Sequence, residues 1–255
     1  MSGDAPVYLV TAAGRGIGAS CARVLAGAGA RLVLLSPSGS AEALARELRC
    51  TGLTGSMIDS ADLARMVQTA LEQYGRIDGI VLNTGILPSS RRKDGSAHAT
   101  GSAFDPRDQT ELTEIDDAAW QEGFDMMFLS VTRLIREAMP CLCENGGGSV
   151  VVVSTFSAPE PRLAYPVASC MRAGLGALIK LYADRYGRDN IRFNAVLPGF
   201  MENWDQPDEV IDAIPLARLG GLTELADTVQ FLLSDKSGYI TGQSLLVDGG
   251  INRSI

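Results

Sequence analysis

Short apolar runs alternate with longer stretches of helical periodicity along the chain. The apolar runs are continuous, which is typical of strands in a parallel sheet covered on both faces. They predict strands over residues 7–10, 32–35, 80–82, 150–153, 191–196 and 244–247. The stretches between them predict helices over residues 17–28, 41–49, 62–74, 117–143, 167–186 and 223–233. We therefore expect an α/β fold with a doubly wound parallel sheet, in a single domain over residues 1–255.

One polar segment, a long loop insertion at about residues 87–116, interrupts this alternation. It is far longer than the roughly 2–6 residues of a typical strand-to-helix loop. It follows the predicted strand at 80–82, at the edge of the sheet where open α/β folds bind ligands. Two interpretations stay open, an active-site or interface element and a flexible insertion. His98, the only histidine, lies within it, either as a proton donor or as a mobile surface residue.

The composition disfavours nucleic acid, membranes and metal ions as binding partners. A formal charge of −8 disfavours binding to nucleic acid or to anionic membranes. No apolar run approaches the ~20 residues of a membrane span, and the start of the chain resembles a strand rather than a targeting segment. The five cysteines are scattered and lack a second cluster of metal ligands, so we expect reduced thiols, no metal site and a cytoplasmic location.

A glycine-rich loop, Thr11-Ala-Ala-Gly-Arg-Gly-Ile-Gly18, joins the first predicted strand to the first predicted helix. Glycines let the backbone approach a pyrophosphate, and the helix N-terminus offers free N–H groups and a positive dipole. The loop therefore predicts a dinucleotide site in a Rossmann-like βαβ unit. Its candidate cofactor-binding residues are Thr11, Gly14, Arg15, Gly16, Ile17 and Gly18.

The chain resembles the short-chain dehydrogenase/reductase (SDR) family over nearly its whole length. The family's loop is TGxxxGxG, and further matches follow in the family's order. They are Gly75-Arg-Ile-Asp78, Leu82-Asn-Thr-Gly85, Ile191-Arg-Phe-Asn-Ala-Val-Leu-Pro-Gly199, Ile214-Pro-Leu-Ala-Arg-Leu-Gly220 and Tyr239-Ile-Thr-Gly-Gln-Ser-Leu-Leu-Val-Asp-Gly-Gly250. The resemblance implies a nicotinamide cofactor, and it adds Asn83, Gly85, Pro198 and Gly199 to the cofactor-binding set.

The cofactor site departs from the family pattern at several positions, among them the glycine loop and the end of the second strand. Ala12 replaces the first glycine of the loop, which fits if its φ is negative. The end of the second predicted strand has no acidic residue to hold the ribose hydroxyls, whereas Ser36 and Arg15 can donate hydrogen bonds. We therefore expect NADP(H) in preference to NAD(H).

The catalytic positions depart further. In the family an Asn, Ser, Tyr and Lys relay protons, and counting from motifs on both sides places Met127, Thr155, Ala168 and Arg172 at those positions. An alanine cannot act as an acid. Tyr165 is the candidate substitute donor, and Pro166 predicts that it is the N-cap of the following helix. Thr155 would orient the substrate carbonyl, and Arg172 would supply positive charge without exchanging a proton.

The resemblance implies an NAD(P)(H)-dependent oxidoreductase acting on a small carbonyl, alcohol, imine or alkene. The changed catalytic positions keep an alternative open, a catalytically silent or non-redox protein that binds a dinucleotide or a partner. The family also implies a homo-oligomer, a tetramer or dimer, formed through the helices at 117–143 and 167–186 and the tail at 243–250.

Overall fold

The computed structural model describes residues 5–84 and 111–254. Seven parallel strands form one sheet in the order β3-β2-β1-β4-β5-β6-β7. The strands are β1 (Val7–Thr11), β2 (Arg31–Ser36), β3 (Thr51–Thr54), β4 (Gly79–Asn83), β5 (Gly148–Val153), β6 (Ile191–Pro198) and β7 (Ser244–Val247). The predicted fold class, a doubly wound parallel sheet, is confirmed.

Helices connect the strands and cover both faces of the sheet. They are α1 (Gly16–Gly27), α2 (Ser40–Leu48), α3 (Ser60–Tyr74), α4 (Asp117–Phe124), α5 (Ser130–Glu144), α6 (Pro166–Tyr186), α7 (Asp208–Asp212) and α8 (Leu222–Leu233). A π-helical turn, Asp125–Leu129, joins α4 to α5.

Two apolar layers form the core, one on each face of the sheet. Along β1, Val7 and Leu9 point into one layer while Tyr8 and Val10 point into the other. Strands β4 and β5 divide their side chains in the same way, because successive residues of a strand face opposite sides. Helices α3, α5 and α6 pack on the first layer, and α1, α2 and α8 pack on the second.

Three elements differ from the sequence predictions. Strand β3 was not predicted, and it forms the edge of the sheet beside β2. The helix predicted over residues 117–143 contains the π-helical turn, so it is not one regular helix. The segment after β6 carries the short helix α7, which the apolar pattern did not indicate.

The order of the strands places a crevice at the carboxyl ends of β1 and β4. From β1 the chain continues to β2 on one side, and from β4 it continues to β5 on the other. Ligands of open α/β sheets bind at such a switch point. Within residues 5–84 and 111–254, no helix is long and apolar enough to span a membrane.

Candidate active site

The glycine-rich loop runs from the end of β1 into α1 and presents an open helix N-terminus. Arg15 is the N-cap of α1, and no side chain of the described residues caps the helix there. The first turn also contains no acidic residue. The leading N–H groups of α1 are therefore free to bind an anion such as a pyrophosphate.

The loop is tightly packed against its own backbone. Gly16 has a φ of +54°, and a Cβ at Gly18 would lie 2.3 Å from the carbonyl oxygen of Ala12. Only a glycine fits at position 18 without a shift of the loop. The condition for an unstrained alanine at position 12, a negative φ, is not met, because the φ of Ala12 is +46°. An L-residue in this left-handed region carries strain of about 1–2 kcal/mol, which the surrounding packing must offset.

Thr11 holds the two strands of the crevice together. Its hydroxyl donates to the carbonyl oxygen of Asn83 at 2.7 Å and accepts from the amide nitrogen of Asn83 at 3.1 Å. The Asn83 side chain lies 3.4 Å from the Ala12 carbonyl oxygen and donates to it. Both side chains are buried, and their hydrogen bonds hold the glycine loop against the end of β4. Gly85, the next predicted cofactor residue along the chain, lies outside the described residues, as does His98.

At the end of β2, three serines form a hydrogen-bonded group. The hydroxyl of Ser36 donates to the carbonyl oxygen of Ser38 at 2.7 Å and accepts from the amide of Ala41 at 3.1 Å. The Ser40 hydroxyl lies 3.1 Å from that of Ser36 and 2.8 Å from that of Ser38. Ser36 is buried and already bonded, whereas Ser38 is exposed and can meet a ligand.

Asn203 reaches the glycine loop, although it is not among the site residues predicted from the sequence. Its side-chain nitrogen lies 3.2 Å from the position that a Cβ of Gly16 would occupy. The segment after Pro198 and Gly199 thus extends over the loop. At Gly199 a Cβ would lie 2.7 Å from the Cα of Asp248, so a glycine lets the C-terminal tail pack directly on this turn. The position of Asn203, a few residues after Pro198-Gly199, was the only sequence feature from which its contact with the loop could have been inferred.

Tyr165 is the N-cap of α6 and Pro166 is the first residue of that helix, as the sequence predicts. The Tyr165 amide donates to the carbonyl oxygen of Arg162 at 3.0 Å, and its own carbonyl accepts from Ser169 at 2.8 Å. The side chain is partly exposed. Tyr165 therefore projects from the helix entrance, about 10 Å of helical rise from Arg172.

Thr155 lies just beyond the carboxyl end of β5 and is partly exposed. Its hydroxyl oxygen accepts long hydrogen bonds, each 3.4 Å, from the amide and hydroxyl of Ser157. These bonds leave the Thr155 O–H able to donate elsewhere. A substrate oxygen beside this strand end is a suitable acceptor.

Arg172 crosses from α6 to the ends of two strands. One guanidinium nitrogen donates to the carbonyl oxygen of Val153 in β5 at 2.9 Å, and the other terminal nitrogen donates to the hydroxyl of Thr84, which follows β4. The side chain is only 7% exposed. Burial lowers the pKa of Arg172 to about 10, so the guanidinium stays charged at neutral pH.

The other two altered positions supply no acid. Met127 is buried within the π-helical turn, where its side chain packs as part of the apolar interior. Ala168 follows Tyr165 within the first turn of α6 and carries only a methyl group. π-helical turns often occur at functional sites, which agrees with this turn facing α6.

A pocket of about 280 Å³ lies next to the segment that follows β5. Its lining combines aromatic and aliphatic side chains with charged ones, and includes Phe156, Arg162, Phe200, Val210 and Arg253. Glu160 accepts from Arg162 at 2.6 Å and from the amide of Arg253 at 2.7 Å, which ties the C-terminal tail to this wall. Within the residues that the structure describes, no group of His, Cys, Asp or Glu side chains is arranged to hold a metal ion.

A seven-stranded doubly wound sheet with a glycine loop at its switch point defines a protein of the dinucleotide-binding α/β class. A family model described as "Enoyl-(Acyl carrier protein) reductase" matches residues 11–252. The chain therefore belongs to the short-chain dehydrogenase/reductase family.

Two curated relatives agree with this assignment. "Oxidoreductase UcpA" of Escherichia coli (strain K12) is 30% identical over 266 residues, covering 95% of this chain and 92% of that protein. "3-oxoacyl-[acyl-carrier-protein] reductase FabG" of Staphylococcus aureus (strain MW2) is 32% identical over 261 residues, covering 95% of this chain and 96% of that protein.

Proposed function

We propose that the protein is an NADP(H)-dependent oxidoreductase that acts on a small carbonyl or alcohol substrate, or on an imine or alkene, with a non-standard proton donor. The observation that carries this proposal is the open N-terminus of α1 behind a loop in which only glycine fits at position 18. Such a cradle accommodates a pyrophosphate. The names of the relatives support redox chemistry, since one is named an oxidoreductase and the other a 3-oxoacyl-[acyl-carrier-protein] reductase.

The preference for NADP(H) rests on the end of β2. Ser36, Pro37 and Ser38 carry no charge that would repel a ribose phosphate. The exposed hydroxyl of Ser38 and the exposed guanidinium of Arg15 are the donors on this side. Asn203 would donate from above the loop, while Thr11 and Asn83 hold the loop in place. In such a site the cofactor would supply the hydride to a carbonyl or accept it from an alcohol.

The chain's own residues would handle the substrate oxygen and its proton. Thr155 donates a hydrogen bond to that oxygen from the end of β5. Tyr165 supplies or removes the proton from the entrance of α6. Arg172 stabilises negative charge on the oxygen, but it cannot pass a proton near neutral pH.

Turnover by variants of Tyr165 tests this assignment. We expect Tyr165→Phe to lower kcat by about 100-fold or more, because a positioned general acid contributes roughly that factor. Tyr239→Phe is the matched control, since Tyr239 is fully exposed and its removal should leave kcat unchanged. If Tyr165→Phe keeps the kcat of the wild type on every reactive carbonyl compound, Tyr165 is not the donor.

A second candidate function is a catalytically silent protein that binds a dinucleotide or a partner. Ala168, Met127 and the hydrogen bonds of Arg172 to neutral acceptors favour it, because they suit a packed scaffold as well as a catalytic site. This candidate predicts NADPH binding without turnover of any carbonyl, alcohol, imine or alkene. Turnover that depends on Thr155 would rule it out.

The protein is also proposed to be a cytoplasmic homo-oligomer, a tetramer or dimer. The surface between α5 and α6 contains an apolar groove lined by residues that include Ile135, Met139, Tyr182 and Tyr186. At one edge of the sheet, strand β7 exposes Leu245. Light scattering on the purified protein measures the mass, and a monomer at micromolar concentration would contradict the proposal.

A further inference from the structure

Arg172 differs in how its charge is compensated from the arginines that pair with carboxylates. Several arginines of the described residues pair with carboxylates at exposed or half-buried positions: Arg23 with Glu47, Arg65 with Asp62, Arg76 with Asp78, Arg133 with Asp125, Arg162 with Glu160, Arg185 with Asp189 and Arg218 with Glu224. Arg172 is more deeply buried than any of these, yet its only partners among the described residues are a carbonyl oxygen and a hydroxyl.

Among residues 5–84 and 111–254, the elements packed around Arg172 supply no nearby negative charge. The strand ends that it contacts carry Asn83 and Thr84 on one side and Ser154 and Thr155 on the other, all neutral. The only acidic residue of α6 is Asp184, three turns further along the helix. In the neighbouring π-helical turn, Asp125 is bonded to Arg133 and Gln121.

A buried ion normally has a counter-ion, because burial without one is costly. Arg172 retains N–H groups that have no acceptor within residues 5–84 and 111–254. It also lies at the carboxyl ends of β4 and β5, beside Thr155. A ligand in that crevice is therefore the natural source of the missing negative charge, and a carboxylate matches the planar fork of a guanidinium.

We propose that Arg172 binds the carboxylate of a small anionic substrate, so that the site selects an oxo acid or hydroxy acid over the corresponding neutral ketone or alcohol. This inference deepens the proposed function and rests on it for the chemistry, but the binding of the anion is independent of turnover. Arg172 then acts as the residue that determines specificity for charge.

Calorimetric titration with oxamate and oxamide tests the proposal without any reaction. The two compounds are similar in size and both carry a carbonyl, but only oxamate has a carboxylate. We expect oxamate to bind wild-type protein at least ~10-fold more tightly than oxamide, the minimum that one charge-assisted contact provides. Equal binding of the two, or binding of neither, would overturn the proposal.

Variants locate the contact. Arg172→Lys keeps the charge but not the fork, and Arg172→Gln removes the charge, so oxamate affinity should fall in the order wild type, Lys, Gln. Arg46→Gln is the matched control, because Arg46 is an exposed arginine on α2 and its loss should leave affinity unchanged. If Arg172→Gln does not fold, the Lys variant and the oxamate–oxamide comparison still decide the question.

A parallel titration with NADPH separates this inference from the proposed function and from a cofactor phosphate as the anion. Arg172→Gln should bind NADPH as the wild type does while losing oxamate. Loss of NADPH binding with oxamate binding intact would assign Arg172 to the cofactor and overturn the inference. Normal NADPH binding together with equal oxamate and oxamide affinities would overturn the carboxylate-binding role of Arg172 but would leave the proposed function intact.

Discussion

Replacing Gly18 by alanine tests the geometry of the cofactor cradle. The added Cβ would lie 2.3 Å from the carbonyl oxygen of Ala12 and 2.8 Å from the side-chain nitrogen of Asn83. Carbon contacts need about 3.5 Å, so the loop must move by about 1 Å. Ala12 belongs to the backbone of the same loop, and its left-handed conformation leaves it little freedom to adapt.

The expected cost follows from overpacking. Forcing a methyl group into a filled site typically costs about 1–3 kcal/mol, and the gain from replacing a helical glycine is only about 0.5–1 kcal/mol. We expect Gly18→Ala to be net destabilising by about 0.5–2 kcal/mol. For a chain of this size, each kcal/mol lowers Tm by about 2–4 °C.

Gly27→Ala is the matched control on the same helix. Gly27 is exposed at the end of α1, and nothing lies within 4 Å of its added Cβ. This variant should be neutral or slightly stabilised, because only the entropy of the unfolded chain changes. Calorimetric or fluorescence melts of the three proteins provide the measurement. A Gly18→Ala protein as stable as Gly27→Ala would refute the close approach of the loop to α1.

Three further predictions concern thiols, a helix cap and a buried phenol. The exposed Cys170 should react with iodoacetamide in the native protein, whereas Cys21 should not, because Cys21 is buried and burial raises its thiol pKa to about 12. Mass spectrometry maps the modified thiols, and equal modification of the two would contradict this prediction. Asp59→Ala should cost about 1 kcal/mol in urea unfolding, because Asp59 caps α3 by accepting from Ala61 at 2.8 Å, and an unchanged midpoint would refute the cap. Burial raises the pKa of Tyr8 to about 12, so the stability that the neutral phenol contributes is fully present below about pH 10 and is lost as pH rises towards 12. The free energy of unfolding of the wild type should therefore fall more steeply over that window than that of Tyr8→Phe, and equal slopes would contradict this.

The sheet was largely predictable because most of its strands are buried on both faces and have continuous apolar sequences. Strand β3 was not, since Thr51-Gly-Leu-Thr54 is short, partly polar and at the edge. Gly52 suits that place for a reason that appears only in three dimensions. A Cβ there would lie 2.6 Å from the Cα of Glu42, because α2 packs directly on the strand.

The sequence was sufficient to predict where the residues of the candidate site lie along the fold, but not most of their hydrogen-bond partners. The pattern located the glycine loop and the N-cap role of Tyr165 correctly. It did not indicate that Ser36 is bonded within its own turn, because hydroxyl partners two to five residues away depend on the local backbone. Nor did it indicate the bridge from Arg172 to two strand ends, which depends on how α6 packs on the sheet.

The most direct test of the central claim is an equilibrium titration of the purified protein with NADPH and, in parallel, NADH, followed by nicotinamide fluorescence. We predict saturable binding of NADPH that is tighter than binding of NADH, and that is weakened in Gly18→Ala but not in Gly27→Ala. Failure of both cofactors to bind at millimolar concentration would contradict the proposed cofactor site.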